Sequence, residues 1–272
     1  MINIERDSFG AIDYTLLRKN SKYSFISNVD NNTILINYDN IYYYLKKCRN
    51  LDYLYNELVA QELALDYNID CTEYDLFVDE ENYGTISKRI YDNNSSFIIM
   101  QDLIDNTNYT TSLDDLWLLF NNKYGYINAT TIMNQLINMF IFDIIIGNSD
   151  RHSLNYGIIY SNVSAFLAPL FDNEMLFSDY ALDDKYFSIF VNRSDSKKKI
   201  GTFNSLKRIM EYDSKYFNKL RDNIYLVSEN NMLKVFSRVE NKIGTEMHPV
   251  IKEKLLRKSK DYYTMLRNEL EM

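Results

Sequence analysis

From Met139 to Ile146 the chain reads MFIFDIII, apolar except for Asp143, and the run stops at Gly147. Ile132, Leu136, Phe140 and Asp143 recur at helical spacing, so a buried helix is expected over Ala129–Ile146, with Asp143 on its core-facing side. A carboxylate in that position is costly unless it is hydrogen-bonded. Asp143 is therefore expected to brace the turn that follows, through backbone amides or His152. That turn, NSDRHSLN, crowds polar groups into one place before strand-like runs resume at Ile158 and Phe166. A rigid apolar element that delivers polar groups to one rim is how binding and catalytic sites are commonly built.

Three oxygen-bearing side chains of this region are spaced for phosphoryl transfer. Asp150 and Asn155 are five residues apart, and Asp172 follows seventeen residues later, after Leu170 and Phe171. Transfer of a γ-phosphoryl group needs a carboxylate near the attacking hydroxyl and hard oxygen ligands for Mg²⁺. Asp150 suits the first role; Asn155 and Asp172 suit the second.

The upstream chain offers a cation and a partner for it. Short β segments are expected at Tyr23–Ser27, Thr33–Tyr38 and Ile41–Leu45, separated by the polar clusters RKNSKYS and NVDNN. Gly10 stands alone, so there is no glycine-rich phosphate loop, and the backbone amides of RKNSKYS are the expected substitute. IYYYLKK, Ile41 to Lys47, ends in two lysines. Strand alternation puts Lys46 on the face of Tyr44 and selects it over Lys47. A helix beginning near Asp52 carries Leu54, Leu58, Val59, Leu63 and Leu65 as an approximate stripe, with Glu57 beside it. Phosphoryl transfer uses such a strand lysine on the phosphates and a helix glutamate to orient it. Asn68 to Asp92 then reads as strand, turn (DEENYG) and second strand (Thr85 to Ile90). Residues 93 to 128 read as mostly helical with Trp117 in the core, and 202 to 270 as wholly helical with a last helix from Pro249 to Leu270.

Composition narrows the classes. A chain of 272 residues can build one or two cores, and a net charge of −8 argues against a general nucleic-acid binder. No apolar run is long enough to span a bilayer, and MINIERDSFG has neither a basic flank nor an apolar core of a signal peptide. Cys48 and Cys71 are too few for a disulfide framework and suit a reducing compartment, so a cytoplasmic protein is expected.

GNSDRHSLNYG followed by LAPLFDNE resembles the C-terminal kinase domain of the HipA-like serine/threonine protein kinases, through Asn148, Asp150, His152, Asn155, Pro169 and Asp172. Asn56-Glu57 matches the N-E opening of that family's helix. The resemblance implies an α+β, bilobal protein-kinase-like fold: a small β-rich N-lobe over residues 1–92 and a larger, mostly helical C-lobe over 93–272. It implies ATP and Mg²⁺ as cofactors, and catalysis by Asp150, Asn155 and Asp172, the last two as metal ligands. Lys46 and Glu57 then serve the phosphates, Arg89, Ile90 and Tyr91 lie near the adenine, and His152 braces the loop beside the nucleotide. Residues after Asp172, through NEMLFSDYALDDKYFSIFVNRSDSKKKIG, occupy the place of an activation segment. The resemblance is to a short form without the family's extra N-terminal subdomain. It implies a protein substrate and a small regulatory or antitoxin-like protein partner; from the net charge and the lack of a long apolar run, no direct contact to nucleic acid or membrane is expected. Phosphoinositide kinases share D-R-H-x-x-N but follow it with D-F-G, where Asn173 stands in place of the glycine. A small-molecule or phosphoinositide-type kinase, or a catalytically weak scaffold of the same fold, are the alternative readings.

Overall fold

The computed structural model describes residues 2, 6–7, 10–48, 50–80, 82–105, 113–178 and 214–270. Its first part is a six-stranded sheet: β1 (Ile12–Asp13), β2 (Tyr23–Asn28), β3 (Thr33–Tyr38), β4 (Ile41–Lys47), β5 (Tyr74–Asp79) and β6 (Asn82–Lys88), in the order β1-β5-β6-β4-β3-β2. Only β1 and β5 pair in parallel; the other neighbours are antiparallel. Strands β3 and β4 are joined by Asp39 and Asn40, both at positive φ, the backbone that a two-residue hairpin turn demands and that Asp and Asn tolerate. Along β4 the side chains alternate as expected. Tyr43 and Leu45 are buried with Ile36, Tyr38, Phe77 and Ile86, which leaves Tyr44 and Lys46 on the other face.

The β5–β6 connection is tighter than the DEENYG turn expected from the sequence, because β6 already begins at Asn82. Gly84 is therefore a strand residue. A Cβ there would lie 2.3 Å from the Lys46 carbonyl oxygen and 2.4 Å from the Phe77 ring, so close strand packing, and not a turn, requires the glycine.

Helix α1 (Tyr14–Lys19) is short; helix α2 (Leu51–Tyr67) is the long one of this half. The Asn50 side chain caps α2 by accepting from the Tyr53 amide, and Asn68 ends it in the left-handed region. Leu54, Leu58, Val59 and Leu63 are buried as the stripe predicts, but Leu65 is exposed. α2 packs into the larger core, together with the C-terminal helices rather than with the smaller core of the outer strands.

In the second part, residues 96–99 correct the expectation of helix: SFII forms β7 (Ser96–Ile99), in a three-stranded antiparallel sheet with β8 (Gly157–Tyr160) and β9 (Ala165–Leu167). Then come α3 (Met100–Asp105), α4 (Leu113–Tyr124) and α5 (Tyr126–Ile145), the last beginning three residues ahead of the expected helix. Trp117 of α4 is partly buried against the core, edge-on to Tyr126. The described C-terminal residues are helical: α6 (Ser214–Asn223), a 3-10 turn (Ile224–Val227), α7 (Glu229–Ile243) and α8 (Pro249–Leu270). The expected activation segment lies outside the described residues from residue 179 onward, as does the expected helix over 202–213. No described helix is long and apolar enough to cross a membrane. The architecture is α+β, a β-rich part followed by a mostly helical one.

The α7–α8 region anchors α2. Arg238 pairs with Glu62 at 2.9 Å and Asp66 at 2.8 Å, and Lys254 pairs with Asp52. With these contacts at both ends, the helix presents Glu57 from a fixed position.

Candidate active site

Helix α5 stops where its sequence loses apolar residues. Gly147 follows at φ 64°, and a Cβ there would lie 2.9 Å from the Phe177 Cα, so only glycine fits this reversal without displacing that chain. The turn is then tied back to α5 by the Asn148 amide donating to the Asp143 carbonyl at 2.8 Å.

Asp143 is completely buried, and its partner is one the sequence reading did not weigh. Both carboxylate oxygens accept from Arg151, from Nε and one terminal nitrogen at 2.9 Å each, and Asn148 Nδ2 donates to Oδ1 at 2.9 Å. His152 does not take this role; its Nδ1 accepts from the Leu154 amide at 3.2 Å. Arg151 is itself buried and donates further to the carbonyls of Asn155 (3.0 Å) and Phe171 (2.8 Å) and to Asn173 Oδ1 (2.6 Å). All five guanidinium N–H groups are thus used. One side chain holds the turn of Asp150 and Asn155 against the segment of Asp172, gripping residues on both sides of that aspartate.

Within the turn, Asn155 is buried and clamps its own loop. Its Nδ2 donates to the Asp150 carbonyl at 2.5 Å, and its Oδ1 accepts from the His152 amide at 2.8 Å. The Asp150 amide donates to Asn148 Oδ1, so its backbone is held while its side chain is exposed. Asp172 adopts φ 60°, an uncommon conformation for a residue with a side chain and of the kind concentrated at functional sites. Tyr74 Oη accepts from its amide at 3.1 Å.

Lys46 reaches Asp172 across 126 residues of sequence, with Nζ to Oδ1 at 2.5 Å, and also meets Glu174 Oε1 at 2.6 Å. Burial alone lowers the ammonium's pKa, but the charges of Asp172, Glu174 and Glu57 outweigh it and hold Lys46 protonated. The expected Lys46–Glu57 pair is present as a near neighbour and not as a direct ion pair. Glu57 is buried, its Oε2 accepts from the Asn173 amide at 2.9 Å, and its Oε1 has no hydrogen-bond partner. Burial first, and Asp172 second, push its pKa up to about 8.

Lys46 and Asp172 open onto a cleft of about 310 Å³. Lys46, Thr72, Tyr74 and Asp172 supply its polar wall; Ile90, Tyr91, Phe97, Ile99, Leu154 and Phe171 supply an apolar one. Tyr91 stacks on Phe97, with ring centroids 6.0 Å apart. Arg89 is not among the lining residues. Its guanidinium lies over the rings of Tyr42 and Tyr91 and donates to the Tyr91 carbonyl and Asn93, so it shapes the Ile90–Tyr91 segment from outside. His152 also stands off the cleft lining.

RKNSKYS does not lie where a phosphate loop would. Thr33 pairs with Lys46, whereas Tyr38 pairs with both Tyr23 and Ile41, so Arg18–Ser24 sits at the far end of these strands. Five residues of strand separate the two ends, roughly 17 Å. The turn between β2 and β3 is at the Lys46 end instead, and Val29, Asp30 and Thr33 line the cleft. Both clusters are polar, and strand register decides which of them borders the cleft.

Sequence reasoning missed Arg151 and Glu174. The signal for Arg151 was Asp143, a buried carboxylate in want of a cation; Glu174 had no signal beyond its place two residues after Asp172.

Among curated protein sequences none matches the chain. Its fold is similar to that of CtkA, a proinflammatory kinase of Helicobacter pylori: 18% identity, TM-score 0.61, covering 96% of this chain and 100% of that one. It is also similar to HipA of Shewanella oneidensis MR-1, solved with HipB and its operator DNA: 11% identity, TM-score 0.50, covering 93% of this chain and 66% of that one. At these identities the likeness is one of fold, and that fold is kinase-like. Residues 22–246 match the HipA-like C-terminal domain, a span that includes Lys46, Glu57, Asp150, Asn155 and Asp172. With most of its length inside that match, the chain belongs to the family of HipA-like C-terminal domains.

Proposed function

We propose that this chain is an ATP-dependent kinase that transfers the γ-phosphoryl group to a serine or threonine hydroxyl of a protein. The observation that carries the reading is the meeting of Lys46 and Asp172 at the polar wall of a cleft whose other wall is apolar. An apolar slot beside a cation and a carboxylate suits a purine base linked to phosphates. In this reading residues 1–92 cover the nucleotide and residues 93–272 carry the chemistry. Lys46 binds phosphate oxygens, with Glu57 behind it, and Ile90 and Tyr91 border the base. Asp150 orients the substrate hydroxyl and takes up its proton.

The residues present fit a magnesium ion. Asn155 Oδ1 carries one hydrogen bond and keeps a lone pair, and Asp172 offers a carboxylate, the hard donors that Mg²⁺ prefers. Asn155 and Asp172 would hold the ion, which when bound neutralises charge on the phosphates. The protein partner in this reading is a small regulator of antitoxin type, by analogy with the Shewanella HipA, whose structure contains HipB.

Incubation of the purified chain with radiolabelled ATP, Mg²⁺ and a generic protein substrate tests the reading; label on serine or threonine supports it, and label confined to a small acceptor overturns the protein specificity. Asp172→Ala is expected to abolish the thermal shift produced by Mg-ATP. In the wild type, ligand at a hundred times its Kd should stabilise the chain by about 2.7 kcal/mol, a shift of roughly 5–10 °C. An Asp172→Ala chain with the full shift would remove Asp172 from the ligand set.

Glu57→Ala should leave the fold intact, because α2 is anchored elsewhere, and should lower turnover through a misplaced Lys46 and a freed Asn173 amide. Unfolding by circular dichroism, set beside transfer assays on the same preparation, checks both halves of that expectation. Lys46→Ala with full activity would remove Lys46 from the phosphate role.

A further inference from the structure

Glu174 competes for Lys46, the one cation among the described residues that line the cleft. Its Oε1 lies 2.6 Å from Lys46 Nζ, and Asp172 Oδ1 lies 2.5 Å from the same nitrogen. Glu57 adds a third carboxylate, and one ligand oxygen from each of the three lies within 4.8 Å of the others. The Glu57 oxygen Oε1, buried beside this group, has no hydrogen-bond partner. Asp172 and Glu174 alone already outnumber the ammonium they share. A nucleotide without a bound cation would bring further negative charge to the same place and would have to displace Glu174 unaided. A divalent cation arriving with the phosphates reverses that balance, because it gives the carboxylates a positive charge to face once Lys46 turns to the phosphates.

Resting on the kinase reading, we propose that Glu174 is a positioning residue that makes nucleotide binding conditional on a divalent cation: it occupies Lys46 in the phosphate's place and releases it when the metal–nucleotide pair arrives. The mechanism requires charge at this position and not merely a side chain that packs. Glu174 is partly exposed, and Lys46 keeps Asp172 as its partner when Glu174 is neutralised.

ATP affinity measured by calorimetry, once in excess EDTA and once in excess Mg²⁺, tests the proposal on the wild type, Glu174→Gln, Glu174→Ser and Glu174→Asp. The wild type is expected to bind at least about tenfold more weakly in EDTA. Both neutral variants should close most of that gap, by roughly tenfold, through tighter binding in EDTA, and Glu174→Asp should keep it. A purely structural role would weaken both arms together and leave the gap unchanged, which overturns the inference. Equal affinity in the two arms for the wild type overturns it as well, while the kinase reading stands. Wild-type protein that binds ATP in neither arm overturns the kinase reading itself.

Discussion

Asp150→Asn is expected to lower phosphate transfer by roughly two to four orders of magnitude, the usual worth of a positioned acid or base, with ATP affinity unchanged. The geometry separates the two effects. The Asp150 backbone is clamped on both sides, its amide by Asn148 Oδ1 at 3.2 Å and its carbonyl by Asn155 Nδ2 at 2.5 Å. Its side chain is exposed and contributes nothing to the cleft lining. Asparagine keeps the shape and both backbone clamps, so the change removes charge and proton affinity alone. In a largely dissociative transfer the base is a modest part of the acceleration, and positioning supplies the rest, so measurable turnover should remain. Nucleotide affinity by calorimetry and transfer by autoradiography, on one preparation, check the outcome. Transfer near the wild-type rate would remove Asp150 from the mechanism. Loss of ATP binding would make it a ligand or a structural residue.

What the sequence made legible were features with a local period. Alternation along IYYYLKK is enough to put Lys46 with Tyr44 and opposite Tyr43 and Leu45, because each successive strand residue changes face. The spacing within NSDRHSLN is legible for the same reason: Asp150 and Asn155 belong to one turn, and their side chain and backbone meet. The meeting of Lys46 with Asp172 depends on chain paths 126 residues apart, which no periodicity encodes. Strand β7 was hidden likewise. SFII is too short to declare itself, and its partner, β8, lies about sixty residues further on. Register decides which polar turn borders the cleft, since RKNSKYS and NVDNN lie at opposite ends of β3 and β4. Asp143 reads as a cost needing relief, but arginine so rarely lies wholly buried that Arg151, eight residues on, does not suggest itself as the source.

That buried pair carries the second large effect. Replacing Arg151 by methionine keeps much of the volume but leaves the Asp143 carboxylate without its cation, in a position with no access to solvent. Breaking one side of a buried ion pair costs about 3–5 kcal/mol, a large part of the roughly 5–15 kcal/mol that separates folded from unfolded chains. The melting temperature should fall by roughly 6–20 °C. Asp143→Leu together with Arg151→Met removes the stranded charge and should recover part of that loss, since paired replacement of a buried ion pair by apolar groups is often nearly neutral. Recovery should not extend to turnover. Arg151 also donates to the Asn155 and Phe171 carbonyls and to Asn173, so the double variant still lacks the strut between the Asp150 turn and the Asp172 segment. Calorimetric melting and transfer assays on the two single variants and the double variant separate these roles. Melting restored with activity still absent assigns Arg151 to the alignment of the two segments. Activity restored along with melting would reduce it to a counter-charge for Asp143.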